Sequence, residues 1–357
     1  MIHCVITIDY ELYGDGTGAL RDLVYDPAAG LMEVFRRRNA RFVAFVEAAE
    51  LERIDACGTD PTIHLVKRQI RELQANGFEI GLHLHPQWYN ARYDAGQWHL
   101  DDREYNLCTL PRERISDIVG EALAYLRRVL DEPSFTPLSF RAGNWLFQPT
   151  AIAADVLAQH GIRIDSSVFK GGRQRQHAMD YRRALRNGYY WSFRHDVNEP
   201  DPAGSWTEVP IHTEMVPCWR MLTAKRVRLQ TRKHVRPQSR TRGASRAVGS
   251  RLHRVLDFMR PRYPLKLDVC RMGLAEMTGM IDRLVREDRA HPEVYRPVVA
   301  IGHTKDLVDL PTVDAFLALL AANGITVSTF HGVVDHLDAA LAAPGGRTRD
   351  AGSRALS

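Results

Sequence analysis

Two histidines stand one residue apart at the end of a short apolar run, Phe78-Glu79-Ile80-Gly81-Leu82-His83-Leu84-His85-Pro86. On an extended chain the side chains repeat every second residue, so both imidazoles point to one side and can share a cation. Neutral imidazole is a common ligand of divalent metals, and a carboxylate completes many such sites. Two acids in the same spacing, Asp9 and Glu11, close the first apolar run of the chain, which begins at Ile2. Arg141 ends a further apolar segment and His303 ends another, Pro297 to Gly302. Gathered on one rim, these groups could bind a metal, activate water and return a proton to a leaving group.

Such a rim needs strands that end together. Pro86 forbids continuation of a central strand, which puts the histidine pair at a carboxyl end, where open and closed α/β sheets place their chemistry. Strands are expected over 2–9, 42–46, 78–85, 138–141, 161–168, 206–211, 265–269, 297–303 and 325–330. Helical periodicity falls between them, over 31–38, 62–76, 111–130, 149–160, 274–287 and 312–323. This alternation argues for an α/β fold of parallel βα units. The Gly-rich stretch Gly14-Asp15-Gly16-Thr17-Gly18 is neither followed by Gly-Lys-Ser/Thr nor part of a GxGxxG opening a helix, so it is weak evidence for a phosphate loop. From Gln87 to Tyr105 the chain is aromatic and aperiodic. That loop could line a sugar-binding cleft or pack its rings on the barrel.

The 357 residues are 45% hydrophobic, enough for a sizeable core, and no apolar run approaches the length that spans a bilayer. The N-terminus enters a β-like run without a basic segment or cleavage site, so a cytoplasmic protein is expected. Five scattered cysteines, none in CxxC spacing, predict reduced thiols. The net charge of +5 conceals a concentrated source: between Arg220 and Arg262 fourteen Lys and Arg face one acid, Asp257. This segment, about 220–262, reads as a late basic insertion suited to phosphates or to a peripheral contact with an anionic membrane surface, or else as a solvated loop. Its helical stretch is expected over 251–259. It carries no recognition-helix, zinc-finger or RNA-binding signature, so sequence-specific nucleic-acid binding is not expected. Residues 1–343 read as a single catalytic domain and 344–357 as a disordered tail.

The order Thr7-Ile8-Asp9-Tyr10-Glu11, Glu79 through Pro86, Phe140-Arg141-Ala142-Gly143-Asn144-Trp145, Asp165-Ser166-Ser167-Val168 and Ala300-Ile301-Gly302-His303 resembles the polysaccharide deacetylases, the NodB-homology or carbohydrate esterase family 4-like superfamily. The resemblance covers roughly residues 1–215 and 290–335. It implies a distorted (β/α)7-type barrel and metal-dependent hydrolysis of an N-acyl group on an amino sugar. Carried over by position, it implies Glu11, His83 and His85 as ligands of Zn²⁺ or another divalent metal, with Asp9 as base. The reverse assignment of Asp9 and Glu11 stays open. His303, charged beside so many acids, would protonate the leaving amine, and Arg141 would pair with Asp9. Trp145 would wall the acyl pocket, while Trp88 and Tyr13 are candidate sugar-binding aromatics.

The family normally spaces its two histidines by three residues, whereas here one residue intervenes. Either the site is re-formed on strand geometry, or His64 or His99 stands in for a missing ligand. Two other readings compete: a glycoside hydrolase using Asp9 and Glu208 as paired carboxylates, and a catalytically inactive carbohydrate- or phosphate-binding barrel.

Overall fold

The structure, a computed structural model, describes residues 1–234 and 260–342. The expected helix at 251–259, most of the basic insertion and the tail at 344–357 lie outside the described residues. The chain opens with β1 (Ile2–Tyr10), α1 (Asp26–Arg37), β2 (Val43–Glu47), α2 (Ala48–Cys57), α3 (Ile63–Ala75) and β3 (Glu79–Leu84). A small hairpin, β4 (Arg92–Asp94) with β5 (Gln97–His99), precedes α4 (Arg112–Leu130), β6 (Ser139–Ala142), α5 (Ala151–Gln159) and β7 (Ile164–Asp165). A second hairpin, β8 (Arg173–Gln174) with β9 (Met179–Asp180), leads to β10 (Trp191–Phe193), β11 (Trp206–Glu208) and β12 (Thr213–Pro217). Then come α6 (Ala224–His234), β13 (Arg262–Lys266), α7 (Leu274–Ala290), β14 (Arg296–His303), α8 (Leu310–Ala322), β15 (Thr326–Ser328) and α9 (Phe330–Ala342).

The main sheet runs β10-β11-β7-β6-β3-β2-β1-β14, and β15 pairs with β1 beside β2. It is parallel from β11 to β14, with β10 antiparallel at one end. Single-residue parallel bridges curl it toward closure: Phe169, just beyond β7, bridges Ile211, and Ile211 bridges Val299 of β14. The backbone amides of Ile211 and His212 donate to the carbonyls of Val168 and Val299 at 2.8 and 2.9 Å. The result is the distorted (β/α)7-type barrel that the sequence implied, with one of its walls reduced to isolated bridges.

Sequence explains why this arrangement closes. β1 is a run of Ile, Val, Thr and Cys buried along nearly its whole length, as expected where helices cover one face and the barrel interior the other. α3 and α4 carry one apolar stripe each, through Ile63, Val66, Ile70 and Leu73 and through Ile115, Ile118, Ala122 and Leu126. Three helices escaped the periodicity: α2, which starts with Ala48-Ala49 directly after β2, α6 in the basic segment, and α9, which begins at Phe330 where a longer last strand was expected. The expected strand at 265–269 is shifted to Arg262–Lys266, because those residues pair with β12. All five cysteines are free, with Cys4, Cys108 and Cys270 buried. Among the described residues no helix is long and apolar enough to cross a membrane.

The ring of Phe140, on the strand that delivers Arg141, is fully buried 5.5 Å from that of Phe147. Phe140→Ala is expected to cost about 3–5 kcal/mol, seen as a lower denaturant midpoint at unchanged slope.

Candidate active site at the barrel rim

Parallel pairing sets neighbouring strand ends side by side. Asp9 lies in register with His303, Glu47 with His83, and His83 with Arg141, so one row across the rim holds most of the candidate residues. Glu11 follows β1, and its Oε2 stands 3.5 Å from His83 Nε2 and 3.1 Å from His85 Nε2. The two imidazoles are nearly perpendicular, with centroids 4.9 Å apart. With one residue between them, strand geometry still turns both imidazoles toward one oxygen of Glu11. His64 is exposed on α3 and His99 on the β4–β5 hairpin, so neither serves as a substitute ligand.

The donor set fits a metal. Two nitrogens and one carboxylate oxygen suit zinc, and a tetrahedral ion with bonds of about 2.1 Å separates its ligands by about 3.4 Å, close to the spacings here. His83 Nδ1 lies 2.8 Å from the Arg141 carbonyl, so Nδ1–H donates there and the Nε2 lone pair faces Glu11. His85 Nδ1 sits beside the side-chain amides of Asn144 and Gln87 at 3.3 and 3.4 Å. Gln87 Oε1 is buried without a partner, and turning that amide over would let it accept the Nδ1–H of His85. A second group of possible ligands, Asp9, Glu11 and His303, overlaps the first at Glu11.

Glu11 is itself divided. Its Oε1 accepts from Lys305 Nζ at 2.6 Å, and the same ammonium donates to the Leu12 carbonyl at 2.9 Å. Burial alone would raise the Glu11 pKa, but Lys305 and the two histidines outweigh it and hold the carboxyl well below the usual range. Burial also opposes the charged form of both imidazoles. At His83 the facing acids, Glu11 and Asp9, overcome it and the pKa rises, whereas at His85 burial prevails and the pKa falls.

Asp9 occupies a different environment from Glu11. Its Oδ1 accepts from Arg141 Nη1 at 2.6 Å, and its Oδ2 lies 3.3 Å from His303 Nε2. Arg141 is wholly buried, donates to the Ser166 carbonyl and hydroxyl at 2.8 and 3.2 Å, and lies 4.3 Å over the Phe45 ring. Ser166 and Ser167 are fastened in turn to Val209, Ala142 and Asp165, so the Asp-Ser-Ser motif acts as a clamp for the arginine.

One expectation is reversed. His303 is not held as a cation: burial, then Lys305, Arg271 and Lys266, push its pKa well below the usual value despite Glu11, so the imidazole rests neutral. Its Nδ1 is buried and unpartnered. Trp145 stands edge-on to His303 with centroids 6.0 Å apart, and its indole nitrogen is also buried without a partner. Asn144 and Trp145 both have positive φ, 54° and 60°, the kind of backbone strain that clusters where a side chain must be aimed. Gly143 before them is required by close approach, since a Cβ there would lie 2.5 Å from the Leu84 carbonyl and 2.9 Å from His85 Cγ.

Two aromatic candidates fare differently. Trp88 is 1% exposed and packs 5.1 Å from Trp98, so it is core and cannot touch a sugar. Tyr13 is half-buried in the loop after Glu11. The aromatic loop after His85 thus splits, with Trp88 and Trp98 buried and Tyr93 exposed. Glu208 is wholly buried beside Asp165, its Oε1 accepting the Val168 amide, and proximity of the two carboxyls pushes its burial-raised pKa further up. With no exposed surface, it leaves the paired-carboxylate glycosidase without an accessible second acid. In the described part of the basic segment, Lys225 and Arg226 are already paired with Asp309 and Glu276 at 3.0 and 2.9 Å.

Sequence reading missed Lys305, Glu47 and Glu50. Glu47 Oε1 accepts the His85 amide at 2.7 Å while its Oε2 caps α2 through the Glu50 amide, and Glu50 Oε1 accepts the Leu12 amide at 2.7 Å. An acid ending an apolar strand and a second one three residues on, as in a helix cap, is the signal that could have found them.

Comparison with solved structures bears on the fold, which is similar to that of a protein described as a polysaccharide deacetylase. A Mycobacterium smegmatis protein provisionally described as a polysaccharide deacetylase aligns over 100% of this chain and 96% of its own, at 14% identity and a TM-score of 0.52. A family 4 carbohydrate esterase from Streptomyces lividans, solved with acetate, aligns over 92% of this chain and 93% of its own at 10% identity and a TM-score of 0.39. A family 4 pseudoenzyme from Bacillus anthracis aligns over 92% of this chain and 64% of its own at 8% identity and a TM-score of 0.41. The latter two scores are too low to add weight to the first. No protein-family model matches the chain, and no curated protein matches it.

Burial, with Glu11 nearby, raises the Glu50 pKa to about 8, against about 4.3 for an unfolded glutamate. The folded state therefore binds the proton more tightly, so this group's contribution to stability is lost as pH rises from about 4 through about 8. In metal-free protein, Glu50→Gln is expected to flatten that fall, gaining in melting temperature relative to wild type between pH 5 and pH 8.5. A constant difference across the range would contradict it.

Proposed function

We propose that the protein is a metal-dependent hydrolase that removes an N-acyl group, acetyl or formyl, from an amino sugar. The observation that carries this reading is the convergence of both histidine Nε2 atoms on one buried oxygen of Glu11, at 3.5 and 3.1 Å. Glu11, His83 and His85 would hold zinc or another divalent cation, which when bound polarises a carbonyl as a Lewis acid and makes water more acidic.

The chain's own groups supply the proton transfers. Arg141 occupies Asp9 Oδ1 and fixes the carboxylate, leaving Oδ2 to take a proton from the attacking water. His303, 3.3 Å from that oxygen, passes the proton on to the leaving amine. A neutral resting imidazole suits such a relay, because it becomes a cation only in passing. Trp145, edge-on to His303, walls the acyl pocket. Tyr13, in the loop after Glu11, is retained as a sugar contact. Assignment of Glu11 to the metal and Asp9 to the base is supported by their partners: imidazoles around one, an arginine and the relay histidine around the other.

Release of acetate or formate from N-acylated amino sugars, lost with a chelator and restored by a divalent metal, is the expected result. Asp9→Asn is expected to lower kcat by about 10²–10⁴-fold with metal content unchanged. Loss of metal in that variant would exchange the roles of Asp9 and Glu11. Fully metallated wild-type protein that releases neither acid from any N-acyl sugar would refute the hydrolase reading.

A further inference from the structure

Lys266 has no part in the chemistry above, yet it belongs to the same wall. It is the last residue of β13, paired with Thr213 of β12, and two residues on Asp268 bridges Ile301, which precedes His303 by two positions on β14. The Leu267 amide donates to the His212 carbonyl and the Leu267 carbonyl accepts the Ile301 amide, both at 2.8 Å. The lysine backbone is thus tied to the strand that carries the relay histidine. Its ammonium lies 3.1 Å from the centroid of the Trp145 ring and 4.7 Å from that of Phe169. Trp145 in turn stands edge-on to His303.

An ammonium normally buries itself only with a carboxylate or several carbonyls, because desolvation of the charge is otherwise uncompensated. The other lysine of the rim, Lys305, follows that rule on Glu11. Lys266 does not: half-buried at the rim, it makes no hydrogen bond and no ion pair among the described residues, and its cation–π contacts there are the two aromatic faces. Cation–π contact holds the group in place without using its N–H donors. Burial, with Arg271 adding to it, pulls the Lys266 pKa down to about 7, a strain that an arriving anion would relieve. The nearby acids are committed elsewhere, Asp9 to Arg141 and Asp306 to Arg271. Asp268 uses its Oδ1 on the backbone amides of Cys270 and Arg271.

We propose that Lys266 is a specificity residue, binding an anionic oxygen of the substrate next to the acyl-amino group, so that the preferred substrate is an N-acyl amino sugar bearing a phosphate or a carboxylate. This rests on the hydrolase reading for the reaction, but not for the binding. The anion reaches the rim at the Trp145 wall, whereas two of the described basic residues of the insertion, Lys225 and Arg226, are paired with acids of the barrel. Trp145 would then serve twice, as wall of the acyl pocket and as platform for the lysine.

The test has a turnover arm and a binding arm, with wild type, Lys266→Met and Lys266→Arg. Met keeps the apolar stem against the rings, and Arg keeps the charge. In the turnover arm, kcat/KM is compared for N-acetylglucosamine 1-phosphate, an N-acetylated hexosaminuronate and neutral N-acetylglucosamine oligomers. Wild type is expected to favour one of the anionic sugars by about tenfold or more, the better one identifying phosphate or carboxylate. Lys266→Met is expected to lose that preference through KM, and Lys266→Arg to keep most of it. In the binding arm, metal-free protein is titrated with the same sugars while tryptophan fluorescence is followed, since an anion that engages Lys266 disturbs the Trp145 environment. Saturation by the anionic sugar in wild type and its loss in Lys266→Met support the proposal even if no sugar is turned over, an outcome that would instead refute the hydrolase reading. Equal binding of charged and neutral sugars by wild type, or a preference that survives Lys266→Met, overturns it.

Discussion

A buried carboxylate is an expensive object, and the rim of this barrel is arranged around one. Glu11 is 3% exposed, so its charge persists only because Lys305 takes one oxygen and two imidazoles face the other. The Arg141 carbonyl turns the His83 imidazole, and the Glu47 carboxylate accepts the His85 backbone amide. The site is thus a set of groups whose charges make sense only together, and in the proposed function a cation would sit between Glu11 and the histidines.

What holds such groups within a few ångströms is the register of parallel strands. Asp9 and His303 are about 294 residues apart in sequence, yet they are neighbours because β1 and β14 pair over eight positions. The barrel closes weakly, through single bridges at Phe169, Ile211 and Val299, and the wall left irregular there includes β13 with Lys266. Irregular backbone at a barrel mouth is where substrate specificity can vary while the strands that carry the reactive groups stay fixed. The strained Asn144-Trp145 turn fits the same division, since it aims one ring toward both His303 and Lys266.

Much of this was legible in the sequence, for a physical reason. Strand ends are readable where β-branched runs stop at polar residues, so Asp9, Glu11, His83, His85, Arg141 and His303 could be named and placed on one rim. The fold followed from the alternation of elements. Charge states did not: His303 was expected to be protonated from the acids near it, but burial and three cations, two of them far away in sequence, decide otherwise. Trp88 misled because an aromatic next to a site motif looks the same in sequence whether it faces a cleft or packs on another tryptophan. Lys266 gave no signal at all, since its significance comes from rings at positions 145 and 169 that only the fold brings over it.

The central claim is that one cation belongs among Glu11, His83 and His85. Anomalous diffraction from a crystal of the protein grown with Zn²⁺ tests it directly. The account predicts a single strong peak about 2.0–2.2 Å from Glu11 Oε2 and from Nε2 of both histidines. A peak among Asp9, Glu11 and His303 instead, or no peak at the rim, would contradict it.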